Sequence, residues 1–412
     1  MKIPCIQCKG RYPKQACGRD FCPIVVRAET LVKSRQFKAT DFSSVSPTVF
    51  VGRYGYPYVN VGVMAPQELT RPSDTLDNPS MWANEGYDIR ELIEIRSSLI
   101  NSRFKQNIRQ FDNRFLELGQ EIGMASKPVG VELKLKDKPK FRLNTAHIEA
   151  PHGPNAKLQQ LELTSNPKVH TKVDKVVSDV DLKTADAIYY LFKSGFDENF
   201  LSKMLSIGNL GVKTQRRLVP TMWSITACDD TIAKNIMKKI KDYKELDTYT
   251  AFFGGYLGNY YLILCYPEVW SYELFETYAP GASWNKTNEL AFTTDYEPYS
   301  GRKTYAENCA GGFYATRIGI VEHLAKLKRQ ASVLALRFIT GEYAAPLGVW
   351  VVREATRKAM KAKPIVFASK ELMHLYAEKL VKKKFNYDIN NLLRNSVLLK
   401  NLKHQRKLSS FI

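Results

Sequence analysis

Four of the seven cysteines fall within the first 22 residues, at Cys5, Cys8, Cys17 and Cys22, in the pattern C-x2-C-x8-C-x4-C. Met1-Lys2-Ile3-Pro4-Cys5 lacks the apolar run of a signal peptide, and in a reducing compartment such a cluster is read as metal ligands before disulfides. Four thiolates suit a tetrahedral Zn2+ ion, each cysteine pair closing a short knuckle and no coordination position left open, so the expected role is structural. Pro23 directly after the last cysteine keeps an iron–sulfur cluster as the alternative. Lys9, Arg11, Lys14 and Arg19 stand between the cysteines, where they would turn the knuckle toward phosphates.

Beyond this module the apolar pattern alternates between the strand and helix periods, which predicts an α+β fold. Thr48 to Val63 is rich in β-branched and aromatic residues broken by Gly52, Gly55 and Pro57, a hairpin signature. Ile89, Leu92, Ile93, Ile95 and Leu99 follow helical spacing from about Tyr87, and a second helix is expected from about Asn107 to Ile122. Val129, Val131, Leu133 and Leu135 alternate with polar residues or glycine, the period of a half-buried strand. Residues 138–175 are polar with four prolines and read as a loop or long hairpin. His147-Ile148-Glu149 there is half of a zinc-deaminase signature, but no P-C-x-x-C follows and H-E-x-x-H does not occur, so His147 and His152 are taken as ordinary histidines.

In the second half, helices are expected at 183–193 and from Asp197 to Leu205 with Asp197 as N-cap, and a strand-like run from Arg216 should lead into a helix capped by Asp229 or Asp230. Strands are expected at 249–253, 260–266, 269–278 and 332–339, with helices after Gly311-Gly312 and from Lys370 to Lys382; Val349–Val352 fits either. The predicted organisation is a zinc-binding module over 1–40, α+β regions over 41–175 and 176–396, and a flexible linker and tail over 397–412. The fold class is therefore α+β: a four-cysteine knuckle, a two-part mixed α/β body and a free C-terminal tail.

Charge narrows the function. The net charge is +20, yet residues 1–40 carry 9 basic against 2 acidic residues and residues 353–412 carry 15 against 4, so nearly all of the excess sits at the two ends. That distribution suits contact with a polyanion, DNA or RNA first, though the solvated surface of a protein from a hot or salty cytoplasm would look similar. No run approaches the roughly 20 apolar residues of a membrane helix, which predicts a soluble cytoplasmic protein without a membrane partner. The last eight residues, Gln405-Arg406-Lys407-Leu408-Ser409-Ser410-Phe411-Ile412, place Leu408 and Phe411 three apart on one side of a helical turn beside Ile412, with Gln405 one turn earlier. This layout resembles the PIP box, which binds the sliding clamp PCNA; a terminal turn folded back on its own domain is the other reading.

Taken together, the cysteine cluster, VGRYGYP at Val51–Pro57, RRLVPTMWSITACDD at Arg216–Asp230 and the terminal octapeptide resemble the archaeal Nre family of DNA repair proteins, in particular its PCNA-binding NreA type. The resemblance spans nearly the whole chain. It implies a role in the response to DNA damage, a zinc-finger-like N-terminus and clamp docking through Gln405, Leu408, Phe411 and Ile412, the last standing where the family pattern usually has a second aromatic. No P-loop, G-x-S-x-G or kinase set occurs. Arg217, Asp229 and Glu354 are charged residues in apolar surroundings and are the catalytic candidates. With Ser224 and Thr226, Arg217 and Glu354 distantly resemble the elements of ADP-ribosyltransferases, which makes a clamp-tethered enzyme acting on DNA, a nuclease-type hydrolase for example, or one using NAD or another nucleotide, the alternative to a DNA-binding repair factor.

Overall fold

The computed structural model describes residues 5–17, 21–22, 25–26, 28–29, 39–140, 150–280, 282, 285, 287 and 289–404, apart from the side chains of Cys5, Ile6, Cys17 and His404. His147, Arg19 and the octapeptide with Gln405, Leu408, Phe411 and Ile412 lie outside the described residues.

Two six-stranded sheets organise the chain. The first contains β1 (Asp41–Ser46), β2 (Thr48–Val51), β3 (Tyr58–Ala65), β4 (Ile100–Asn107), β5 (Val129–Leu135) and β6 (Asn155–Leu163) in the order β1-β5-β6-β4-β3-β2, with only the β6–β4 pair parallel. Its edge strands β1 and β2 are separated in the chain by Pro47 alone, so the sheet must curl until its edges meet. The Ser46 hydroxyl, donating to the Met64 carbonyl at 2.9 Å, ties β1 across to β3 at that seam. Inside the curl lie Val49, Val51, Val59, Val61, Val63, Val131, Leu133 and Leu158. Two of these strands escape the apolar pattern. β4, in the sequence INSRFKQN, was not expected and ends at Asn107, where a helix was expected to start; that helix begins only at Arg114, behind Asn113, whose side chain accepts from the Phe115 N–H. In β6 the register shifts opposite Lys134 and Leu135, an irregularity that moves the buried residues from Ala156 and Leu158 to Leu161 and hides the period of two.

The second sheet contains β7 (Tyr249–Tyr256), β8 (Asn259–Tyr266), β9 (Ser271–Tyr278), β10 (Ala291–Glu297), β11 (Ser332–Ile339) and β12 (Ile365–Phe367) in the order β10-β9-β11-β8-β7-β12. Both faces are covered, which is why all of β11 is buried. Val333 and Ala335 join the core formed with the long helices 221–240, 310–327 and 349–361; Leu334, Leu336 and Phe338 join the core formed with the helix 370–385 and the two short helices after it. Among the described residues no helix is long and apolar enough to cross a membrane.

The helices, in chain order, are α1 (Cys5–Cys8), α2 (Pro13–Cys17), α3 (Pro79–Glu85), α4 (Ile89–Ser98), α5 (Arg114–Met124), α6 (Thr171–Ser178), α7 (Thr184–Lys193), α8 (Glu198–Ser206), α9 (Thr221–Ile240), α10 (Ala310–Leu327), α11 (Val349–Lys361), α12 (Lys370–Phe385), α13 (Asn390–Asn395) and α14 (Val397–His404). Asp197 caps α8 as expected, accepting from the Phe200 N–H at 2.8 Å. The expected linker is different. Residues 397–404 form α14, which packs through Leu398 and Leu399, and the buried Glu273 carboxylate accepts from the Val397 and Leu398 N–H groups and from the Ser396 hydroxyl. A carboxylate at a helix N-terminus satisfies donors that have no partner inside the helix.

At the N-terminus, Lys9 and Gly10 take left-handed backbone (φ +48° and +77°) directly after Cys8. A Cβ on Gly10 would lie 3.5 Å from that of Cys22 and would overlap Val25, so the turn after Cys8 packs against the last cysteine. Phe21 and Val26 fasten this segment to the main core. Among the described residues no group of three or more His, Cys, Asp or Glu is placed to hold a metal; the side chains of Cys5 and Cys17 lie outside them.

Candidate nucleic-acid interface

The two motifs VGRYGYP and RRLVPTMW, about 160 residues apart in sequence, meet on one surface. The β2–β3 hairpin turns through Gly55 at φ +84°, where a Cβ would lie 2.7 Å from the Tyr58 carbonyl oxygen. That tight turn pushes Arg53, Tyr54 and Tyr56 outward. Against it sits the N-terminus of α9: the Val51 N–H donates to the Thr221 hydroxyl at 2.9 Å, and the Tyr56 and Trp223 rings lie 5.6 Å apart. A third segment completes the junction, since the Ile108 N–H donates to the Pro57 carbonyl and the Ile108 carbonyl accepts from the Leu218 N–H. Arg109 and Arg217, each next to that junction, are exposed.

What the junction displays is unusual for a free surface. Tyr54 is 76% exposed, Tyr58 58%, Met222 51%, and Tyr56 and Trp223 46% each. Arg53 stacks over the Tyr54 ring at 5.0 Å and reaches the Met222 sulfur at 3.8 Å. Large apolar side chains grouped on the outside mark an interaction surface. Flat aromatic faces interleaved with arginines are what unstacked bases and their phosphates require: rings for the bases, guanidinium groups for the backbone. Lys9, Arg11 and Lys14 on the N-terminal module are also exposed.

The catalytic candidates fare differently. Asp229 and Asp230 do not cap a helix; α9 begins at Thr221 after Pro220, eight residues earlier, so both aspartates lie inside it. Pro220 stops the strand-like run, and packing carries the β-branched Thr221, Ile225 and Thr226 in helical form. Asp229 is fully buried and accepts from Arg353 at 2.6 Å. Arg353 also faces Glu198, while Arg357 grips Glu198, Glu322 at 2.7 Å and Glu354 at 2.7 Å. Asp229 and Glu354 thus share one network with Arg353, Arg357, Glu198 and Glu322, and Arg217 takes no part in it. Four helices, α8, α9, α10 and α11, contribute to it, so its first effect is to fasten them together.

Burial pushes the Asp229 carboxyl up to about 6 despite the neighbouring Arg353, and its second oxygen has no hydrogen-bond partner among the described residues. Burial also pushes Glu198 upward, but Arg357 and Arg353 outweigh it and hold the carboxyl well below its ordinary range. None of the network residues lines the cavity between the β7–β8 turn and Phe21 or the cavity along α9. Spacing in the sequence did carry a signal for the pair Arg353 and Arg357, four apart on one helix face, but not for their distant partners Glu198 and Glu322.

The chain matches the family models described as archaeal Nre, N-terminal, over residues 16–285 and archaeal Nre, C-terminal, over residues 297–411. The gap between them, residues 286–296, takes in all of β10 except Glu297, and β10 pairs with β9 of the N-terminal match in one sheet. It is 34% identical over 410 residues to the DNA repair protein NreB of Archaeoglobus fulgidus, covering all of both chains. It is 34% identical over 372 residues to the DNA repair protein NreA of the same organism, covering 90% of this chain and 91% of the relative, and 35% identical over 327 residues to that of Haloferax volcanii, covering 78% of each. Identities this close do not separate the NreA from the NreB type. No solved structure matches the chain.

Proposed function

The chain belongs to the archaeal Nre family, and from that premise we propose that it is a DNA repair factor that binds DNA across the face carrying Arg53, Tyr54, Tyr56, Arg217 and Trp223. The observation that carries this reading is the convergence of two distant motifs into an exposed aromatic and basic surface. The relatives are themselves named DNA repair proteins. In the same reading Gln405, Leu408, Phe411 and Ile412 recruit the protein to PCNA. Docked Leu408 and Phe411 side chains contribute roughly 1.5–3 kcal/mol each, less the ordering of the peptide, which points to affinity of about micromolar. The anchoring of the start of α14 by Glu273 supports it, because His404, the last residue of that packed helix, directly precedes the octapeptide in the chain. Zn2+ on Cys5, Cys8, Cys17 and Cys22 is the staple of the N-terminal module, favoured by the apposition of Gly10 and Cys22. Elemental analysis of chelator-washed protein checks the metal.

The test separates the two binding functions. Calorimetry against the cognate clamp and fluorescence anisotropy against single-stranded DNA are run on the intact protein and on its Phe411→Ala and Trp223→Ala variants. Phe411→Ala should abolish most clamp binding and leave DNA binding intact, and Trp223→Ala should do the reverse. Clamp binding unchanged in Phe411→Ala and in a chain ending at His404 would sink the recruitment reading; DNA affinity that ignores both salt and Trp223 would sink the other.

A further inference from the structure

The α9 face that starts at Trp223 continues through Ala227, Asp230, Lys234 and Lys238 to Lys241, the residue that caps the helix, at spacings of three and four. Lys238 lies about 22 Å from Trp223 along the helix axis. There the helix walls a cavity of about 420 Å3, closed on the other side by Glu297, Ser300, Gly301 and Arg302. That volume suits a mononucleotide.

The charges of this cavity are unevenly matched. Asp230 and Glu297 both grip the buried Arg317, Asp230 also takes Lys234 at 2.7 Å, and Arg302 pairs with Asp295 at 3.2 Å. Lys238 and Lys241 pair with no carboxylate among the described residues; Lys241 donates to the Tyr299 carbonyl and lies over its ring. Two uncompensated lysines one turn apart on the wall of a cavity call for an anion. A second observation points to what else the ligand carries. Glu297 is fully buried, and its Oε1 has no hydrogen-bond partner among the described residues although the residue lines the cavity. A buried carboxylate oxygen of this kind is satisfied by a donor, such as a sugar hydroxyl or a base amino group. Tyr299, 46% exposed at the rim, adds an aromatic ring.

We propose that this cavity binds a phosphate-bearing nucleotide, its phosphate on Lys238 and Lys241 and a hydroxyl or amino group on Glu297. Two sources share that chemistry: a free nucleotide, or the phosphorylated end of a DNA strand laid along α9 from the aromatic face. Only the second source rests on the DNA-binding reading above.

The experiment uses the full chain, with dAMP, inorganic phosphate and deoxyadenosine as probes in calorimetry and thermal denaturation, and short oligonucleotides with 5′-phosphate or 5′-hydroxyl ends in anisotropy. Lys238→Glu and Ser300→Trp change exposed positions, the first reversing a charge and the second filling the cavity. dAMP should bind saturably and raise the melting temperature, about tenfold tighter than either phosphate or deoxyadenosine, and each variant should weaken it about tenfold or more. If the 5′-phosphate oligonucleotide binds tighter and Lys238→Glu erases the difference, the strand end is the source; equal oligonucleotides alongside bound dAMP identify the free nucleotide. No saturable dAMP binding, binding indifferent to both variants, or phosphate as tight as dAMP overturns the proposal. Trp223→Ala serves as the control: loss of DNA with dAMP retained keeps the two sites distinct, whereas DNA binding indifferent to Trp223 with dAMP retained defeats the DNA-binding face alone.

Discussion

Arg353 and Arg357 in α11 and Arg53 and Arg217 at the aromatic face are the same residue type in opposite circumstances. The first pair is largely buried and spends its donors on Asp229, Glu198, Glu322 and Glu354. The second pair is exposed, one guanidinium lying on a tyrosine ring and the other outside any ion pair among the described residues. Both Arg353 and Arg357 belong to the basic excess of residues 353–412, so part of the charge that suggests a polyanion is consumed inside the protein. Net charge therefore overstates what a partner can meet, and the arrangement of exposed charge beside exposed rings is the better guide.

That contrast is open to direct attack. The largest effect should come from Arg357→Met, which leaves Glu198, Glu322 and Glu354 without their shared cation; breaking such a buried set costs about 3–5 kcal/mol, read by urea denaturation. The folded fraction should still bind DNA normally. A loss under about 1 kcal/mol would mean that the network does not fasten the helices.

Next comes the pH dependence carried by Asp229. Its carboxyl titrates at about 6 in the fold against an ordinary 3.8, so the folded state binds the proton more tightly than the unfolded chain. The associated penalty is absent below 3.8 and complete above 6, so stability should fall as pH rises through that window, by up to about 3 kcal/mol. Glu198 runs the other way, with its contribution complete above 4.5 and lost only at lower pH. Between 4.5 and 6 Glu322 and Glu273, raised by burial, and His323 and His374, lowered by it, titrate as well, so the share of Asp229 is read as the difference between two proteins. Asp229→Asn, which can still accept from Arg353, should show a shallower fall of stability there; an identical slope in wild type and variant would assign it to those other groups.

The smallest effect on the fold, and the sharpest on binding, is expected at the exposed face. Trp223→Ala should weaken single-stranded DNA by about 1–3 kcal/mol, the worth of one stacked base. Its unfolding free energy should shift by no more than about 0.5 kcal/mol, because the side chain is half exposed. A large stability loss instead would show that the ring is part of the core.

Much of the second sheet is legible in the sequence because strands covered on both faces are written as continuous apolar runs, as in Ser332–Ile339. β4 and β6 are hidden for the opposite reason: each combines polar residues with an irregular buried set, and pairing supplied by their neighbours makes them strands. The start of α9 is misread because Val219, Ile225 and Thr226 suit a strand locally, while packing against the helices around it decides otherwise. Val349–Val352 fits either period, and its place beside Trp82 and Tyr256 in the core makes it helix.

By itself the sequence determined the family, the α+β class, the Asp197 cap and the motifs that carry resemblance, since each depends on residues near one another in the chain. Only the tertiary structure decided that Arg53 and Trp223 share a surface, that Glu198 and Glu322 meet Arg357, and that Lys238 faces Glu297 across a cavity. The physical reason is that burial and ion pairing depend on distance in space, and the curl of one sheet and the layering of the other bring together positions up to about 170 residues apart.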